Sequence, residues 1–275
     1  MKRLWRMRLA RVGGALVLLV LIAAVFASVA TPYSPTQQDI TNLLRPPSPT
    51  HPLGTDELGR DTLTRVMFGA QASLEVGIIA VGISLFLGSA LGLVAGYLRG
   101  PTDAMLMRIM DGLLALPTLV LALAITAMLG PSLNNAMVAI GITGVPLFAR
   151  LVRGQVLAVR EQDFVQAARS LGAGHVRMIG RHILPNVSSP IVVQASLAMP
   201  AAILAEAGLS FLGLGVQPPT PSWGGMLNTA KGYLQQDAWL AVAPGVAIFL
   251  TVLGFNFLGD ALRDALDPRL RRVAG

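Results

Sequence analysis

The sequence predicts an all-α polytopic membrane protein with six transmembrane helices and one sizeable cytoplasmic segment, residues 161–185, called the insert below. Hydrophobic residues make up 53% of the 275 residues and charged residues only 13%, whereas soluble domains carry about 25% charged residues. The mean hydropathy is +0.64. Because the apolar residues are distributed along the whole chain, a soluble protein with a single membrane anchor is excluded.

Six apolar segments approach the roughly 20 residues that a helix needs to cross the hydrocarbon core. In chain order the predicted spans are residues 12–30, 76–97, 113–129, 133–151, 191–214 and 238–259. The third contains Pro117, with a start near Met105 as an alternative boundary, and the fourth contains Pro146. Membrane helices tolerate such breakers where neighbouring helices or water satisfy the freed carbonyls.

The N-terminal segment has two interpretations. Basic residues, an apolar core and Ser28-Val29-Ala30 resemble a cleavable signal peptide. The apolar run of 19 residues is longer than a signal peptide requires and long enough to span. We therefore predict that the segment is retained as the first transmembrane helix.

The distribution of basic residues predicts the orientation. Of the 21 Lys and Arg residues, 17 fall in segments that a six-span topology places on the same side as both termini and the insert. The positive-inside rule makes that side the cytoplasm. The formal charge of +7 is then a topological signal, and no nucleic-acid partner is predicted.

The chain is divided into three parts by this topology. Residues 1–70 are predicted to form a cytoplasmic tail, the first span and a periplasmic segment. Residues 71–264 are predicted to form a transmembrane core of five helices with the insert, and residues 265–275 a cytoplasmic tail. In the second span, Gly88, Gly92 and Gly96 form a small-residue face that favours close packing within the chain over a subunit interface.

The sequence offers no catalytic, cofactor-binding or metal-ligating constellation. Cysteine is absent, and the three histidines have no metal-ligand spacing. Residues 54–61 follow the outline of a phosphate-binding loop, but Arg60 replaces its Lys and Asp61 replaces its Ser or Thr. The chain is therefore predicted not to be an enzyme.

Glu206 is a carboxylate inside an apolar run. Intramembrane carboxylates are costly and are candidates for function, for example in a proton relay. The competing interpretation is a carboxyl group near the outer interface that is hydrogen-bonded to a neighbouring helix. A rise of about 1.5 Å per residue places Glu206 well toward the outer side of the membrane, and both interpretations stay open.

The insert predicts two short helices, over residues 161–171 and 175–184, joined by a turn at Gly172 and Gly174. Small residues at its surface, Ala167 and Ala168, suit a compact knob that seats in a groove of another protein. The alternative is an amphipathic loop that lies on anionic membrane lipid through its arginines, Arg169, Arg177 and Arg181.

Residues 166–185, QAARSLGAGHVRMIGRHILP, resemble the "EAA" loop of ABC-transporter permease subunits, in which coupling helices enter a cleft of the cytoplasmic ATPase. The resemblance implies the fold of a type I ABC importer permease. It assigns ATPase coupling to Gln166, Ala167, Ala168, Gly172, Ala173, Gly174, His175, Arg181, Leu184 and Pro185. Gln166 departs from the family, which has Glu there, so a carboxylate contact to the ATPase is weakened.

Four further segments resemble the dipeptide, oligopeptide and nickel branch of these permeases, and in layout its "C" subunit. They are residues 51–61 (HPLGTDELGRD), 206–215 (EAGLSFLGLG), 221–224 (PSWG) and 259–269 (GDALRDALDPR). The resemblance implies an inner-membrane importer of di- or oligopeptides. It also implies a homologous permease partner, two ABC ATPases that bind ATP and Mg²⁺, and an extracytoplasmic solute-binding protein.

Other cargoes and another class of transporter remain as alternatives. Relatives of the same branch carry nickel, glutathione or other small solutes. A self-sufficient secondary transporter would show an internal repeat or charge pairs at the membrane midplane, and neither is evident in the sequence.

Overall fold

The computed structural model describes residues 7–266, which form helices joined by turns and loops. The helices are α1 Arg8–Ala30, α2 Thr62–Leu98, α3 Gly100–Leu114, α4 Thr118–Leu129, α5 Leu133–Arg160, α6 Asp163–Ser170, α7 His175–Arg177, α8 Leu184–Phe211, α9 Trp223–Ala230 and α10 Trp239–Leu266. A π-helical segment, Met178–Ile183, joins α7 to α8. Residues 1–6 and most of the predicted tail 265–275 lie outside the described part.

Five of the predicted spans are confirmed as helices of sufficient length and apolarity to cross a membrane. Several are longer than the apolar runs that predicted them, because polar residues continue the helix beyond the hydrocarbon core. The second begins at Thr62, where the Asp61 side chain accepts a hydrogen bond from the Thr64 N–H at 2.8 Å. This is an N-cap, which satisfies a backbone donor that the first helical turn leaves free.

The prediction of one continuous helix for the third span was wrong. The chain bends by 91° between α3 and α4. Pro117 has no backbone N–H and restricts the residue before it to extended conformations, so the helix ends ahead of it and a new one begins at Thr118. Six spans result only if the bent pair counts as one.

The glycines of α2 form a seam with α5, as predicted. A Cβ atom at Gly88 would lie 2.5 Å from the Cβ of Phe148, and one at Gly96 would lie 2.9 Å from the Cβ of Val156. Gly92 makes the same kind of approach to Ala149. The glycine face therefore packs within the chain, with the two helix backbones in direct contact.

The remaining long helices pack around this pair. α8 lies against α2, α5 and α10, and α1 lies against α10. The short helix α9 covers the end of the bundle opposite the insert, where Trp223 is buried and donates its indole N–H to the Val66 carbonyl at 2.9 Å. The fold thus leaves two polar regions at opposite ends of the bundle.

Candidate functional site

The insert is a compact turn of helix–loop–helix between α5 and α8. α6 ends at a loop in which Gly172 has φ +81°, a conformation that favours glycine. The backbone N–H of Ala173 donates to the Ala168 carbonyl at 3.1 Å, which closes the turn. The prediction of a separate second helix was only partly right, because the chain runs from His175 through the π-helical segment directly into α8.

Apolar side chains fix the insert to the ends of α2 and α5. Val165, Met178 and Ile183 are buried, and they join a cluster that includes Val156 and Tyr97. Since burial of such side chains is the dominant favourable contribution to packing, the insert is a rigid extension of the transmembrane helices.

Polar contacts reinforce the same junction. The Tyr97 hydroxyl lies 2.7 Å from Nδ1 of His175, and the Arg160 guanidinium donates to the Tyr97 carbonyl at 2.8 Å. Arg99 donates to Glu161 at 2.6 Å. His175, predicted from the sequence as a coupling residue, is therefore also a link between the insert and the end of α2.

The structure brings the predicted coupling residues together on the surface of the insert. Eight are exposed, namely Gln166, Ala167, Gly172, Gly174, His175, Arg181, Leu184 and Pro185, and two are partly buried, namely Ala168 and Ala173. Most of these side chains are thus accessible at the surface of the insert, and their role in ATPase coupling stays a prediction.

Two functional candidates were missed by the sequence analysis. Leu171 is 89% exposed and Val176 is 88% exposed, on either side of the glycine turn. Together with Gly172 and Gly174 they form the apolar tip of the insert. The signal in the sequence was a pair of large apolar residues flanking a turn that has no room to bury them.

Glu206 is fully buried in α8. One carboxyl oxygen accepts a hydrogen bond from Ser210 at 2.7 Å, and the other accepts one from Ser73 of α2 at 3.2 Å. The bond from Ser73 is the hydrogen bond to a neighbouring helix that was expected if Glu206 is a carboxyl group near the outer interface without a transport role. A role of Glu206 in proton transfer stays a prediction.

Residues 54–61, the segment that imitates a phosphate-binding loop, fold around a carboxylate. The Asp56 side chain accepts the backbone N–H groups of Leu58 at 3.0 Å and Arg60 at 2.9 Å, and the Arg60 guanidinium at 2.6 Å. A second guanidinium, that of Arg65, lies 3.3 Å from the same carboxylate. The turn is therefore already occupied by an internal anion, which explains why it departs from the nucleotide-binding pattern.

No group of three or more His, Cys, Asp or Glu side chains within residues 7–266 is arranged to hold a metal ion.

Two family models together match most of the chain, with residues 48–87 outside both matches. One described as "Binding-protein-dependent transport system inner membrane component" matches residues 88–272. Another described as "N-terminal TM domain of oligopeptide transport permease C" matches residues 1–47. The first match includes the insert and α8, and the second includes α1.

Curated relatives align over nearly the full length. The chain is 47% identical over 270 residues to the dipeptide transport system permease protein DppC of Alkalihalophilus pseudofirmus, covering 98% of this chain and 89% of that protein. It is 44% identical over 271 residues to the glutathione transport system permease protein GsiD of Pectobacterium atrosepticum, covering 98% and 90%.

A solved structure has the same fold. The MetNI methionine ABC transporter in inward facing conformations aligns with a TM-score of 0.62 over 74% of this chain and 96% of that chain, at 18% sequence identity. At this identity the similarity concerns the arrangement of the helices alone.

Proposed function

We propose that this chain, which belongs to the family of binding-protein-dependent transport system inner membrane components, is a permease subunit of an ATP-driven importer of di- and oligopeptides. The apolar tip of the insert is the structural observation that carries the proposal. Leu171 and Val176 are nearly fully exposed on a rigid base, and apolar surface of this kind is stable when a partner covers it.

The partner that we propose for the tip is a cytoplasmic ABC ATPase. Residues near the glycine turn, Ala167, Gly172 and Gly174 among them, let the knob enter a narrow cleft because they carry small side chains or none. Binding and hydrolysis of ATP with Mg²⁺ then take place on two ATPase subunits, and the chain itself holds no cofactor in this scheme. Movement of the ATPases is transmitted to α8 because the insert continues into it without a break.

The lipid interpretation of the insert makes a different prediction. A loop held on anionic lipid by Arg169, Arg177 and Arg181 needs no ATPase, so replacing its apolar tip would leave the assembly of the transporter intact. The two interpretations are therefore separated by whether the ATPase subunits stay with the purified permease.

The solute path is proposed to follow α8. A cavity of about 640 Å³ opens at the insert end and is lined by polar residues that include Gln155, Asn186 and Arg263. A second cavity, of about 150 Å³, lies deeper and is lined mainly by apolar residues of α2, α5 and α8. Gln194 lines both cavities, so it lies where the polar cavity meets the deeper apolar one.

The orientation and remaining partners follow from the same assignment. Both termini and the insert lie in the cytoplasm, as the distribution of Lys and Arg predicts. A homologous permease chain completes the path as a heterodimer, and an extracytoplasmic solute-binding protein delivers the cargo. The division into residues 1–70, 71–264 and 265–275 is retained as part of this proposal.

Peptides are proposed as cargo because the relatives include a dipeptide permease and a di/tripeptide permease. Glutathione is the second candidate, since a permease named for glutathione is 44% identical over 98% of the chain. Nickel is retained only as an alternative that the sequence resemblance suggests.

The test is uptake in cells that lack only this chain, offered labelled dipeptides, glutathione and nickel in parallel. The proposal expects loss of dipeptide uptake that the intact chain restores. Loss of glutathione or nickel uptake alone would replace the cargo, and uptake by the purified chain without ATP would contradict the transporter class.

A substitution at the turn tests coupling in the same cells. Gly172→Trp is expected to leave the protein in the membrane while abolishing uptake, and the purified complex should lose transport-linked ATP hydrolysis. Gly130→Trp is the matched control, because Gly130 also has a positive φ, +91°, and a Cβ at either glycine meets no other atom within 4 Å. Normal uptake by Gly172→Trp would contradict a coupling role.

A further inference from the structure

Gln194 is the polar side chain that the two cavities along α8 share, and Leu197, one turn further, is the apolar one. The larger cavity lies at the insert end of the bundle. The smaller one lies deeper, where residues such as Ser84 of α2 and Gly144 of α5 line it. Since α8 runs away from the insert and contributes Ala205 further along, Gln194 lies at the end of the deeper cavity that faces the insert.

The other polar groups of the deeper cavity are largely used by the helices themselves. The Ser84 hydroxyl donates to the Gly141 carbonyl at 2.7 Å, and the Thr143 hydroxyl donates to the Ile140 carbonyl at 2.8 Å. Thr118, at the beginning of α4, is the remaining hydroxyl. The described residues that line this cavity include no charged side chain, so a charged group of a solute finds no counter-charge there.

The carboxamide of Gln194 is accessible and unpaired. Two neighbours on α8, Ser188 and Ser196, donate their hydroxyls to helix carbonyls at 2.8 and 2.7 Å, whereas the Gln194 side chain makes no hydrogen bond with any group among residues 7–266. It is only partly buried, so it can be reached from the cavities. A polar group without a partner is costly in apolar surroundings, and polar residues inside membrane spans commonly mark solute pathways.

We propose that Gln194 hydrogen-bonds the peptide amide of the solute as it passes between the two cavities, and thereby selects for that amide on the permease itself. A carboxamide has a carbonyl acceptor and N–H donors, which match the N–H and C=O of a peptide bond. Every peptide carries this group whatever its side chains are. The inference rests on the proposed function for the path and the cargo, and it adds the chemical group that is recognised.

Uptake of two matched solutes tests the contact in proteoliposomes that hold the complete transporter, with ATP and a saturated solute-binding protein. Alanyl-lactate differs from dialanine only in an ester oxygen that replaces the amide N–H. Gln194→Met keeps the side-chain length and removes both polar groups. The ratio of dialanine to alanyl-lactate uptake is expected to fall about fivefold or more in this variant, because only the wild type has an acceptor for the amide N–H.

Gln155→Met is the matched control, since Gln155 is also a partly buried glutamine but lines the larger cavity alone. It should leave the ratio unchanged, whatever its effect on the rate. The solute-binding protein is the same in every sample, so a changed ratio arises in the permease. An unchanged ratio in Gln194→Met overturns the proposal, even where uptake of both solutes falls equally, because that result indicates a structural role.

Cysteine labelling separates this inference from the proposed function, because the chain has no cysteine of its own. Gln194→Cys should react with a charged methanethiosulfonate added at the cytoplasmic face, since the reactive thiolate forms in water. Val192→Cys, at a 50% exposed position of the same helix that lines neither cavity, should react about tenfold or more slowly. Mass spectrometry of this chain gives both rates.

The two failures then give different results. If the wild type imports no peptide but Gln194→Cys reacts faster than Val192→Cys, the proposed cargo fails and the position of Gln194 on the path stands. If the wild type imports dialanine while Gln194→Cys reacts no faster than Val192→Cys, the proposed function stands and this inference fails.

Discussion

The two polar ends of the molecule use their charges in opposite ways. In the segment before α2, Asp56 and Arg60 are both buried and bonded to each other, with Arg65 beside them. In the insert, Arg169, Arg177 and Arg181 are exposed, and the apolar residues Leu171 and Val176 stand out at the tip. In the first segment the charged side chains pair with one another. In the second, large apolar side chains are exposed, where we propose that a partner covers them.

The difference shows that charge and polarity in a membrane protein's loops do not by themselves indicate a docking surface. Glycine also has a different role at each end of the molecule. Gly59, at φ +71°, is pressed against the backbone of Asp39, whereas Gly172, at φ +81°, has open space around it. A close neighbour indicates a glycine required for packing, and open space indicates one required for the shape of a surface.

The largest effect is expected when the apolar tip of the insert is made polar. Leu171→Asp combined with Val176→Asp is expected to weaken retention of the ATPase subunits about 30-fold or more, since each Asp would bring an unpaired charge into the apolar contact that we propose. Co-purification of the ATPases with the tagged permease measures the effect. Ile40→Asp, which removes an 81% exposed side chain at the opposite end, is the control. Undiminished retention would favour the lipid interpretation.

The buried charge network should show the next largest effect, on stability rather than on assembly. Arg60→Ala is expected to lower the free energy of unfolding by about 3 kcal/mol or more, because it leaves Asp56 and Glu57 short of a buried counter-charge. Thermal unfolding of the purified chain in detergent gives the measurement. If Arg60→Ala lowers the melting temperature no more than substitution of an exposed arginine does, as in Arg177→Ala, then Arg60 does not supply a needed counter-charge to Asp56 and Glu57.

The pH dependence of stability should have opposite signs at two carboxyl groups of this segment. Burial, and then the neighbouring Asp56 charge, raises the pKa of Glu57. Hydrogen bonds from Thr41 and Asn42 hold the pKa of Asp39 below its ordinary value. As pH rises through the pKa of each carboxyl group, ionisation of Glu57 destabilises the folded state, whereas ionisation of Asp39 stabilises it.

We therefore expect the wild type to lose stability relative to Glu57→Gln between about pH 4 and neutrality. Relative to Asp39→Asn, the wild type should gain stability as pH rises, and most of this gain should occur below about pH 4. Melting temperatures of the three proteins across this interval provide the measurement. Identical pH profiles for Glu57→Gln and the wild type would show that Glu57 is not shielded from water.

The smallest effect is expected at the base of the insert. Arg99 and Glu161 form an ion pair, but their side chains are 45% and 56% exposed. Surface pairs contribute about 0–1 kcal/mol, so Glu161→Gln should change the melting temperature little and leave uptake intact. A large loss of uptake in that variant would show that the pair is part of the coupling surface.

Most of the membrane topology could be predicted from the sequence, because long apolar runs and the distribution of Lys and Arg depend on transfer to lipid and not on which helices touch. The glycine turn between two polar segments predicted the shape of the insert, whereas the coupling role of its residues came from the family resemblance and stays a prediction. Packing of the α2 glycine face within the chain was predicted, but its partner α5 was not, because a small-residue face does not specify which helix covers it.

Tertiary structure alone decided the rest. A proline within an apolar run is compatible with either a kink or a sharp bend, and the neighbouring helices selected the 91° bend between α3 and α4. The position of Gln194 between two cavities and the hydrogen bond from Ser73 to Glu206 depend on residues far apart in the chain. Sequence patterns describe how each segment meets water or lipid, but only packing determines which polar groups find a partner.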